Sequence, residues 1–324
     1  MKTLMITGLA FILGLSCTAQ AQDNDNKKYF CSPCECENDG KIFDAGGKCP
    51  GCGMRLREVG TSNFEMASIS ASNMIVYASD KKDSTQQLFY KSLNASSGEK
   101  LIGPGSAAHF SPDGSKIVFS RFENSIWIYD IIANKLTDLS SKIDSPGIQL
   151  PVWDATGKSI FFSAGTFPNV GIYNIDPDNG KTKSIITTGG LRYGCAPSPN
   201  GHEIAYRCAK GTDKDRQRGI AIFDLSTKEE RYVSPIGEYC TWSPDGKQLS
   251  FHWPDSTGNF CIYTVNNDGT DLKKIAGSED NDYELPCWSP DGNRIYFQTN
   301  KRHGSWEIWS MNKDGLDQKP VIWN

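Results

Sequence analysis

The chain has 324 residues and a formal net charge of −4, with 38% hydrophobic and 22% charged residues. A chain of this length can bury a substantial core, and its slightly acidic balance offers no basic field for nucleic acid or for an anionic membrane surface. We therefore expect one large folded domain with a small appendage, and no nucleic-acid partner.

Residues 1–21 have the features of a secretory signal peptide. Lys2 precedes an apolar run from Leu4 to Leu15, and Ala19-Gln-Ala21 is a small-x-small cleavage motif. This interpretation places the mature chain in the periplasm or cell envelope, or secretes it. A second interpretation stays open, because the residues that end at Cys17 are similar to a bacterial lipoprotein signal. Lipidation of Cys17 is the only membrane association that we expect.

A polar linker, residues 22–28, leads to a cysteine-rich segment at residues 29–58. Its cysteines form two Cys-x-x-Cys pairs separated by 14 residues and one extra thiol: Cys31, Cys34, Cys36, Cys49 and Cys52. Four thiolates at this spacing match tetrahedral Zn²⁺ coordination. The segment also has too few large apolar side chains to fold without a metal or a disulfide. We predict a metal-binding ribbon with structural Zn²⁺.

This segment resembles bacterial heavy-metal-binding domains of the zinc-ribbon type through Cys49-Pro-Gly-Cys52-Gly-Met54 and the following Leu56. The resemblance implies metal binding by the cysteines. The family's commoner pattern has histidine at the position of Cys34 and no equivalent of Cys36. Cys36 therefore replaces Cys34 as a ligand, bridges a second soft ion such as Cu(I), or stays free. Disulfides among these cysteines and a working metal sensor or transfer site are further alternatives.

From residue 64 to residue 324 one turn motif, Ser-Pro-Asp-Gly or a close variant, recurs with a short apolar strand after it. The turns end at five glycines spaced by 43, 44, 45 and 46 residues: Gly114, Gly157, Gly201, Gly246 and Gly292. A degenerate copy of the turn, with Asn73 in place of the glycine, comes 41 residues before Gly114. Turns and strands with a period in the forties are typical of propeller blades. The sequence therefore predicts an all-β, six-bladed β-propeller with four antiparallel strands per blade.

The turn copies have an aromatic residue before them and Ile-x-Phe or Ile-x-Tyr after them, as in Phe110-Ser-Pro-Asp-Gly114 and the strand that follows. In this they resemble the β-propeller repeats of the TolB family, over about residues 64–324. The resemblance implies the fold. It implies no single function, because such blades also occur in peptidase propellers and pectate-degrading lyases.

Five further cysteines lie in the last three repeats: Cys195, Cys208, Cys240, Cys261 and Cys287. Counted from the glycines, Cys195 and Cys240 occupy the same row, and Cys287 comes one position later. We expect small buried side chains at these positions. A disulfide between Cys240 and Cys287 stays open as an alternative.

The candidate ligand-binding face is the one opposite the Ser-Pro-Asp-Gly turns. The first strand of each blade starts there, eight residues before the glycine, and the second strand ends there, so side chains from several blades converge around a central funnel. The residues assigned to this face are His109, Arg207, Glu238, His252, Glu284 and Gln298. Carboxylates beside a histidine favour a positively charged ligand group.

No motif of a serine hydrolase, a zinc metalloprotease or a P-loop NTPase occurs in the sequence, and we assign no catalytic residue. The favoured interpretation is an extracytoplasmic binding or scaffold protein whose propeller face holds a protein, peptide or glycan. Two alternatives remain. One is a lyase-like, metal-assisted enzyme on the propeller, and the other is heavy-metal handling by the ribbon.

Overall fold

The computed structural model describes residues 28–30, 37–38, 41–53, 55–59, 62–81, 85–94, 98–121, 124–143, 145–187, 189–211, 217–302 and 304–323. The predicted signal peptide with Cys17, most of the linker, and Cys31, Cys34, Cys36 and Met54 of the ribbon lie outside these residues. No helix in the described ranges has the length and apolar composition needed to cross a membrane.

The ribbon contains a small three-stranded antiparallel sheet. Its strands are β1 (Tyr29–Phe30), β2 (Ile42–Phe43) and β3 (Arg57–Glu58), in the order β2-β1-β3. Cys49 and Leu56 form its buried centre, with Tyr29 and Phe43 packed against them. A core of this size gives the segment little stability of its own.

The rest of the chain forms six consecutive four-stranded antiparallel units, each corresponding to one sequence repeat. Unit 1 contains β4 (Phe64–Ile69), β5 (Met74–Ser79), β6 (Gln87–Ser92) and β7 (Lys100–Pro104). Unit 2 contains β8 (Ser106–Phe110), β9 (Lys116–Ser120), β10 (Ile126–Asp130) and β11 (Lys135–Asp138), and a 3-10 turn at Ser140–Lys142 follows it. Unit 3 contains β12 (Gln149–Trp153), β13 (Ile160–Thr166), β14 (Asn169–Ile175) and β15 (Thr182–Ile186).

The last three units have the same organisation. Unit 4 contains β16 (Leu191–Pro197), β17 (Glu203–Lys210), β18 (Gln217–Asp224) and β19 (Glu230–Ser234). Unit 5 contains β20 (Glu238–Trp242), β21 (Gln248–Pro254), β22 (Phe260–Asn266) and β23 (Lys273–Ala276). Unit 6 contains β24 (Tyr283–Trp288), β25 (Arg294–Thr299), β26 (Glu307–Asn312) and β27 (Lys319–Ile322). The all-β propeller class predicted from the repeats is confirmed.

The units are not six separate blades. Units 1, 2, 5 and 6 are separate four-stranded sheets, whereas units 3 and 4 belong to one eight-stranded sheet. They are joined by a parallel pairing of Val170 with Leu191, because β14 begins early enough to reach the start of β16. The prediction of six separate blades is therefore wrong: the described residues contain four separate four-stranded sheets and one shared sheet.

The first strands of the units surround the propeller axis. They contact one another in a closed circle, in the order β4, β8, β12, β16, β20, β24 and back to β4. Each unit contributes its own four strands, and the circle closes between units 6 and 1 without strand exchange. At this junction the Phe64 N–H donates to the Trp306 carbonyl at 2.9 Å, and the Trp306 N–H donates to Asn63 Oδ1 at 3.1 Å.

The repeated turns have the predicted backbone geometry. The five turn glycines have φ between 69° and 74°, and Asn73 has φ 56°. Because asparagine tolerates positive φ, the degenerate copy keeps its turn without glycine. In the unit 5 turn, Asp245 Oδ1 accepts hydrogen bonds from Ser243 Oγ at 2.7 Å and from the Lys247 N–H at 3.1 Å. These bonds hold the pKa of Asp245 below its usual value, so this aspartate stabilises the turn.

The aromatic row after the turns fills the space between neighbouring sheets. Its members are Phe119, Phe162, Tyr206, Phe251 and Phe297, all almost fully buried. Burying one such ring contributes roughly 1.5–3 kcal/mol, so this row is a major source of the propeller's stability.

Candidate functional site

Every first strand has an irregularity near its start, on the face opposite the turns. The pairing between first and second strand shifts register there in all six units. In five units one residue at this point has φ between 48° and 65°: Ala107, Leu150, Gly194, Tyr239 and Leu285. Such bulges turn the preceding side chain away from the regular strand direction. The residues before the bulges form a ring that we call the rim: Glu65, Ser106, Gln149, Tyr193, Glu238 and Glu284.

Two of the predicted site residues, Arg207 and Glu238, lie close together between units 4 and 5. They form an ion pair, and both side chains are about four-fifths buried. The Tyr193 hydroxyl donates to Glu238 Oε2 at 3.1 Å and accepts from Arg207 Nη1 at 3.3 Å. The charge of Glu238 is therefore neutralised inside the protein. The expectation that it offers a free carboxylate to a ligand is corrected by this ion pair.

His252 lies beneath the ion pair of Arg207 and Glu238. It is paired in register with Glu238 and is only 3% exposed. Its Nδ1 accepts a hydrogen bond from the bulge N–H of Leu285 at 2.9 Å, and its ring stacks on Tyr239 at a centroid distance of 5.5 Å. Burial, and secondarily the Arg207 charge, lower the pKa of His252 to about 3. The imidazole is therefore neutral at physiological pH and holds units 5 and 6 together.

Glu284 lies in unit 6 on the side of unit 1, and its environment differs from that of Glu238. Gln298 Nε2 donates to Glu284 Oε2 at 3.1 Å, and the two residues pair across β24 and β25. Burial raises the pKa of Glu284 to about 8, with repulsion from Asp282 and Glu65 adding to it. Burial likewise raises the pKa of Glu65 to about 7. Neither carboxyl group forms an ion pair within the described ranges.

Glu65 is the one charged rim residue that was not among the predicted site residues. It lies eight residues before Asn73, the same offset that places Glu284 before Gly292. Because the first turn has asparagine in place of glycine, a count from the turn glycines does not reach this strand. The same offset applied to Asn73 is the signal that finds Glu65.

His109 lies deeper than the rim. It lines a cavity of about 270 Å³ between the first strands, where burial lowers the pKa of its imidazole to about 4. Cys195, Cys240 and Cys287 line the same cavity and are free thiols. The alternative of a Cys240–Cys287 disulfide is therefore not what the structure contains. Cys208 and Cys261 are free and buried elsewhere, as expected for small core residues.

The ribbon contacts the propeller beside the charged part of the rim. Arg57 Nη1 lies 2.6 Å from Asp80 Oδ2 of unit 1, and Arg55 Nη1 donates to the Asp280 carbonyl before unit 6 at 2.9 Å. A side chain at Gly304 would approach the Leu56 carbonyl to 2.1 Å, so only glycine permits this close contact. The described part of the ribbon thus packs on units 6 and 1.

The candidate metal centre of the ribbon is described only in part. Cys49 is buried, Cys52 is exposed, and the Gly53 N–H donates to the Cys49 carbonyl at 2.8 Å, which closes the turn between the two cysteines. A Cys-x-x-Cys turn of this kind suits a thiolate-bound soft or borderline ion. In the described ranges no group of three or more histidine, cysteine or acidic side chains is placed to hold a metal ion.

Comparison with known proteins found a family match for the ribbon and, separately, matches to TolB proteins. Residues 28–59 match the family described as heavy metal binding domain. A stretch of 91 residues is 32% identical to the Tol-Pal system protein TolB of Francisella tularensis, covering 28% of this chain and 20% of that protein. The match thus spans about a fifth of the length of such curated relatives.

Solved structures support the fold over a larger part of the chain. A putative TolB from Agrobacterium tumefaciens superposes with a TM-score of 0.58 at 18% identity, over 70% of this chain and 84% of that one. An oligogalacturonate lyase in complex with manganese superposes with a TM-score of 0.59 at 11% identity, over 86% and 84%. At these identities the likeness concerns the fold. The protein is therefore a β-propeller with an N-terminal segment that matches the heavy metal binding domain family.

Proposed function

We propose that the protein is an extracytoplasmic binding protein whose rim holds a protein or peptide partner through a positively charged group of that partner. The observation that supports this most directly is the pair of carboxyl groups at Glu65 and Glu284. They occupy neighbouring rim positions in units 1 and 6, and neither forms an ion pair within the described ranges, since the nearby Arg57, whose charge lowers the pKa of Glu65, is paired with Asp80.

The chemistry of this pair favours a cation. A carboxyl group that is partly buried among other negative groups holds its proton more tightly, and a bound ammonium or guanidinium group replaces that proton favourably. The amide side chains of Gln86 and Gln298 already donate to these carboxyl groups and fix their orientation. Binding of a cation at this position should release protons, so we expect affinity to rise from about pH 6.5 to about pH 8.5.

The experiment is site-specific photocrosslinking in the native envelope with the full chain. A crosslinker at Gln86, beside Glu65, reports on the rim, and one at Asn200, in an exposed turn of unit 4, reports on the opposite face. We expect one partner, identified by mass spectrometry, from position 86 only. Its affinity should fall at least about tenfold in the Glu65→Gln/Glu284→Gln variant, because neutral amides cannot form charge-assisted hydrogen bonds with the cationic group.

A matched control is Glu229→Gln, an exposed carboxylate away from the rim. Partner capture from position 200 instead of position 86, or capture from position 86 that is equal in the double variant and the wild type, contradicts the proposal. An affinity that falls as pH rises also contradicts it.

A second candidate function, metal handling, is supported by the family match over residues 28–59 and by the Cys49–Cys52 turn. A structural site should hold about one Zn²⁺ per chain tightly, whereas a handling site should exchange Zn²⁺ or Cu(I) reversibly with a competing chelator. Elemental analysis of the full chain before and after incubation with a competing chelator distinguishes them, and Cys52→Ser, compared with the buried Cys208→Ser, tests whether the ribbon holds the metal. Protein without bound metal and with its ribbon thiols in disulfides contradicts both.

A further inference from the structure

We propose that the ribbon is an autoinhibitory strap on the rim: Arg57 occupies the carboxylate of Asp80 beside Glu65, and a cationic group of the partner displaces it on binding. This regulation rests on the function proposed for the rim, because it concerns the same group of carboxylates. Three features support it: the docked position of the ribbon, the place of Asp80 at the rim, and the support that Asp80 receives from the propeller itself.

The last strand of the ribbon holds it against the propeller. Arg57 in β3 forms two hydrogen bonds to Asp80, at 2.6 and 3.3 Å, and its side chain is only 12% exposed. The carbonyl of the preceding residue, Leu56, closely approaches Gly304 of unit 6. Docking of the ribbon and neutralisation of Asp80 therefore occur together.

Asp80 is a neighbour of the rim carboxyl group of Glu65. It directly follows Ser79, the last residue of β5, and Ala78 of the same strand pairs in register with Glu65. Burial is the main cause that raises the pKa of Glu65. The charge of Asp80 raises this pKa further, and the charge of Arg57 opposes both. Two carboxyl groups and one guanidinium group thus act on one another at this point of the rim.

Asp80 keeps its place without Arg57. The Asn63 N–H donates to Asp80 Oδ1 at 2.7 Å, and Asn63 Nδ2 donates to Asp80 Oδ2 at 3.2 Å. Asn63 Oδ1 accepts in turn from the Trp306 N–H, which fixes the asparagine at the junction of units 6 and 1. Release of Arg57 therefore leaves a positioned carboxylate, which an ammonium or guanidinium group of a partner can bind.

Docking of the ribbon and binding of a cation should weaken each other. With the ribbon docked, a cation at Glu65 is repelled by the Arg57 charge and has no access to Asp80. By linkage, a bound cation weakens docking by the same factor. Because the ribbon has little stability of its own, an undocked ribbon should lose its protection against hydrogen exchange.

The test uses agmatine, which carries one guanidinium and one ammonium group, in isothermal titration with the full chain at low salt and about pH 8.5. Arg57→Met should raise the affinity for agmatine about fivefold or more, because it frees Asp80 and removes the repelling charge. Asp80→Asn also breaks the ion pair but removes the carboxylate. This variant should therefore bind agmatine no more tightly than the wild type.

A steric variant should release the ribbon without changing a charge. A Cβ at Gly304 would lie 2.1 Å from the Leu56 carbonyl oxygen, so Gly304→Ala should raise the affinity for agmatine as Arg57→Met does. Gly201→Ala is the matched control. Gly201 has φ 74°, close to the 71° of Gly304, and nothing lies within 4 Å of its added Cβ. The control has the same backbone strain without the clash and should leave the affinity unchanged.

Hydrogen exchange measures the reverse effect in the wild type. Saturating agmatine should accelerate exchange at residues 55–59 and leave residues 116–120 of unit 2 unchanged. N-butylurea, a neutral molecule of similar shape, should have no effect at the same concentration, because it cannot replace the Arg57 charge.

The failures of the strap and of the rim function are distinguishable. If Glu65→Gln/Glu284→Gln weakens agmatine binding but Arg57→Met leaves it unchanged, the strap is wrong and the rim function stands. An equal rise in Asp80→Asn and Arg57→Met also overturns the strap, because the ribbon would then only cover the rim. Unchanged exchange at residues 55–59 under saturating agmatine overturns it as well. An absence of agmatine binding in every folded variant overturns the strap and the rim function together.

Discussion

The backbone at the rim has the same conformation in units 2 and 3 as in units 5 and 6. The side chains that it carries differ between these two regions. Leu150 in unit 3 and Leu285 in unit 6 have nearly the same positive φ, 54° and 49°. The rim pairs of units 2 and 3 are uncharged: Ser106 with Ser120, and Gln149 with Ser163. Those of units 5 and 6 are Glu238 with His252 and Glu284 with Gln298.

The difference shows which side-chain groups the bulges at the rim require and which they do not. Ser163 Oγ accepts the bulge N–H of Gly194 at 3.2 Å, and His252 Nδ1 accepts the equivalent N–H of Leu285 at 2.9 Å. A hydroxyl group is therefore sufficient for the bulge. The imidazole and the carboxyl groups of units 5, 6 and 1 exceed that structural requirement, which is why we assign the site to this half of the rim. Substitutions in the two halves should therefore have different effects.

The largest difference should come from the two bulge acceptors. His252→Ala removes a buried stacked ring and leaves the Leu285 N–H without a partner, so we expect a loss of about 3 kcal/mol in the free energy of unfolding. Ser163→Ala removes only a hydroxyl and should cost about 1 kcal/mol. Urea denaturation measures both. Equal losses would mean that His252 contributes no more than an acceptor.

Arg207→Met should lower the free energy of unfolding by about 2 kcal/mol, because it leaves the largely buried Glu238 without its counter-ion. The side chains are about a fifth exposed, so the loss is smaller than for a fully buried pair. Urea denaturation of this variant and of Arg207→Met/Glu238→Gln measures the coupling, and the double variant should recover part of the loss. If the double variant is as unstable as the sum of the single ones, the two side chains do not interact.

Arg57→Met should release the ribbon from unit 1 at a cost of about 1–2 kcal/mol, because the Arg57–Asp80 pair is mostly buried. Hydrogen exchange at residues 55–59 should accelerate, while exchange in units 2 and 3 stays unchanged. Lys28→Met, which removes an exposed ion pair with Asp44 inside the ribbon, is the control and should have little effect. Equal acceleration in both variants would contradict docking through Arg57.

The smallest effect should be a pH dependence from Glu284. Its folded pKa of about 8 lies above the usual carboxyl value, so its stabilising contribution is present at acid pH and is lost as pH rises through about 8. From about pH 7 to about pH 9 the wild type should lose about 1 kcal/mol more than Glu284→Gln. Thermal unfolding at both pH values measures this, with Glu229→Gln as control. A wild type that becomes more stable over this range contradicts the raised pKa.

The sequence was sufficient for the features that repeat. Turn glycines with positive φ, the aromatic row and the position of Glu284 and Gln298 on one face follow from a fixed offset within each repeat. The cysteine spacing likewise located the segment that matches the heavy metal binding domain family. These features depend on local chemistry and period, which a single sequence contains.

The sequence was insufficient where contacts between repeats decide the outcome. The bulge conformation at Leu150 and Tyr239 has no local signal, because neither residue favours positive φ. The Val170–Leu191 pairing that joins units 3 and 4 depends on where two distant strands begin. The ion pair that neutralises Glu238 likewise joins residues of different units, so the sequence alone presents Glu238 as a free carboxylate.

The closure between units 6 and 1 has a consequence for how such a ring can change in evolution. Because every unit keeps its four strands in one continuous stretch of chain, duplication or loss of a repeat outside the joined units 3 and 4 requires no strand to find a new partner. A ring closed by an exchanged strand would have to rebuild a composite sheet after each such event. Here the circumference can vary by insertion between intact copies, provided that the junction of units 6 and 1 keeps the hydrogen bonds of Asn63, Phe64 and Trp306 and its apolar packing.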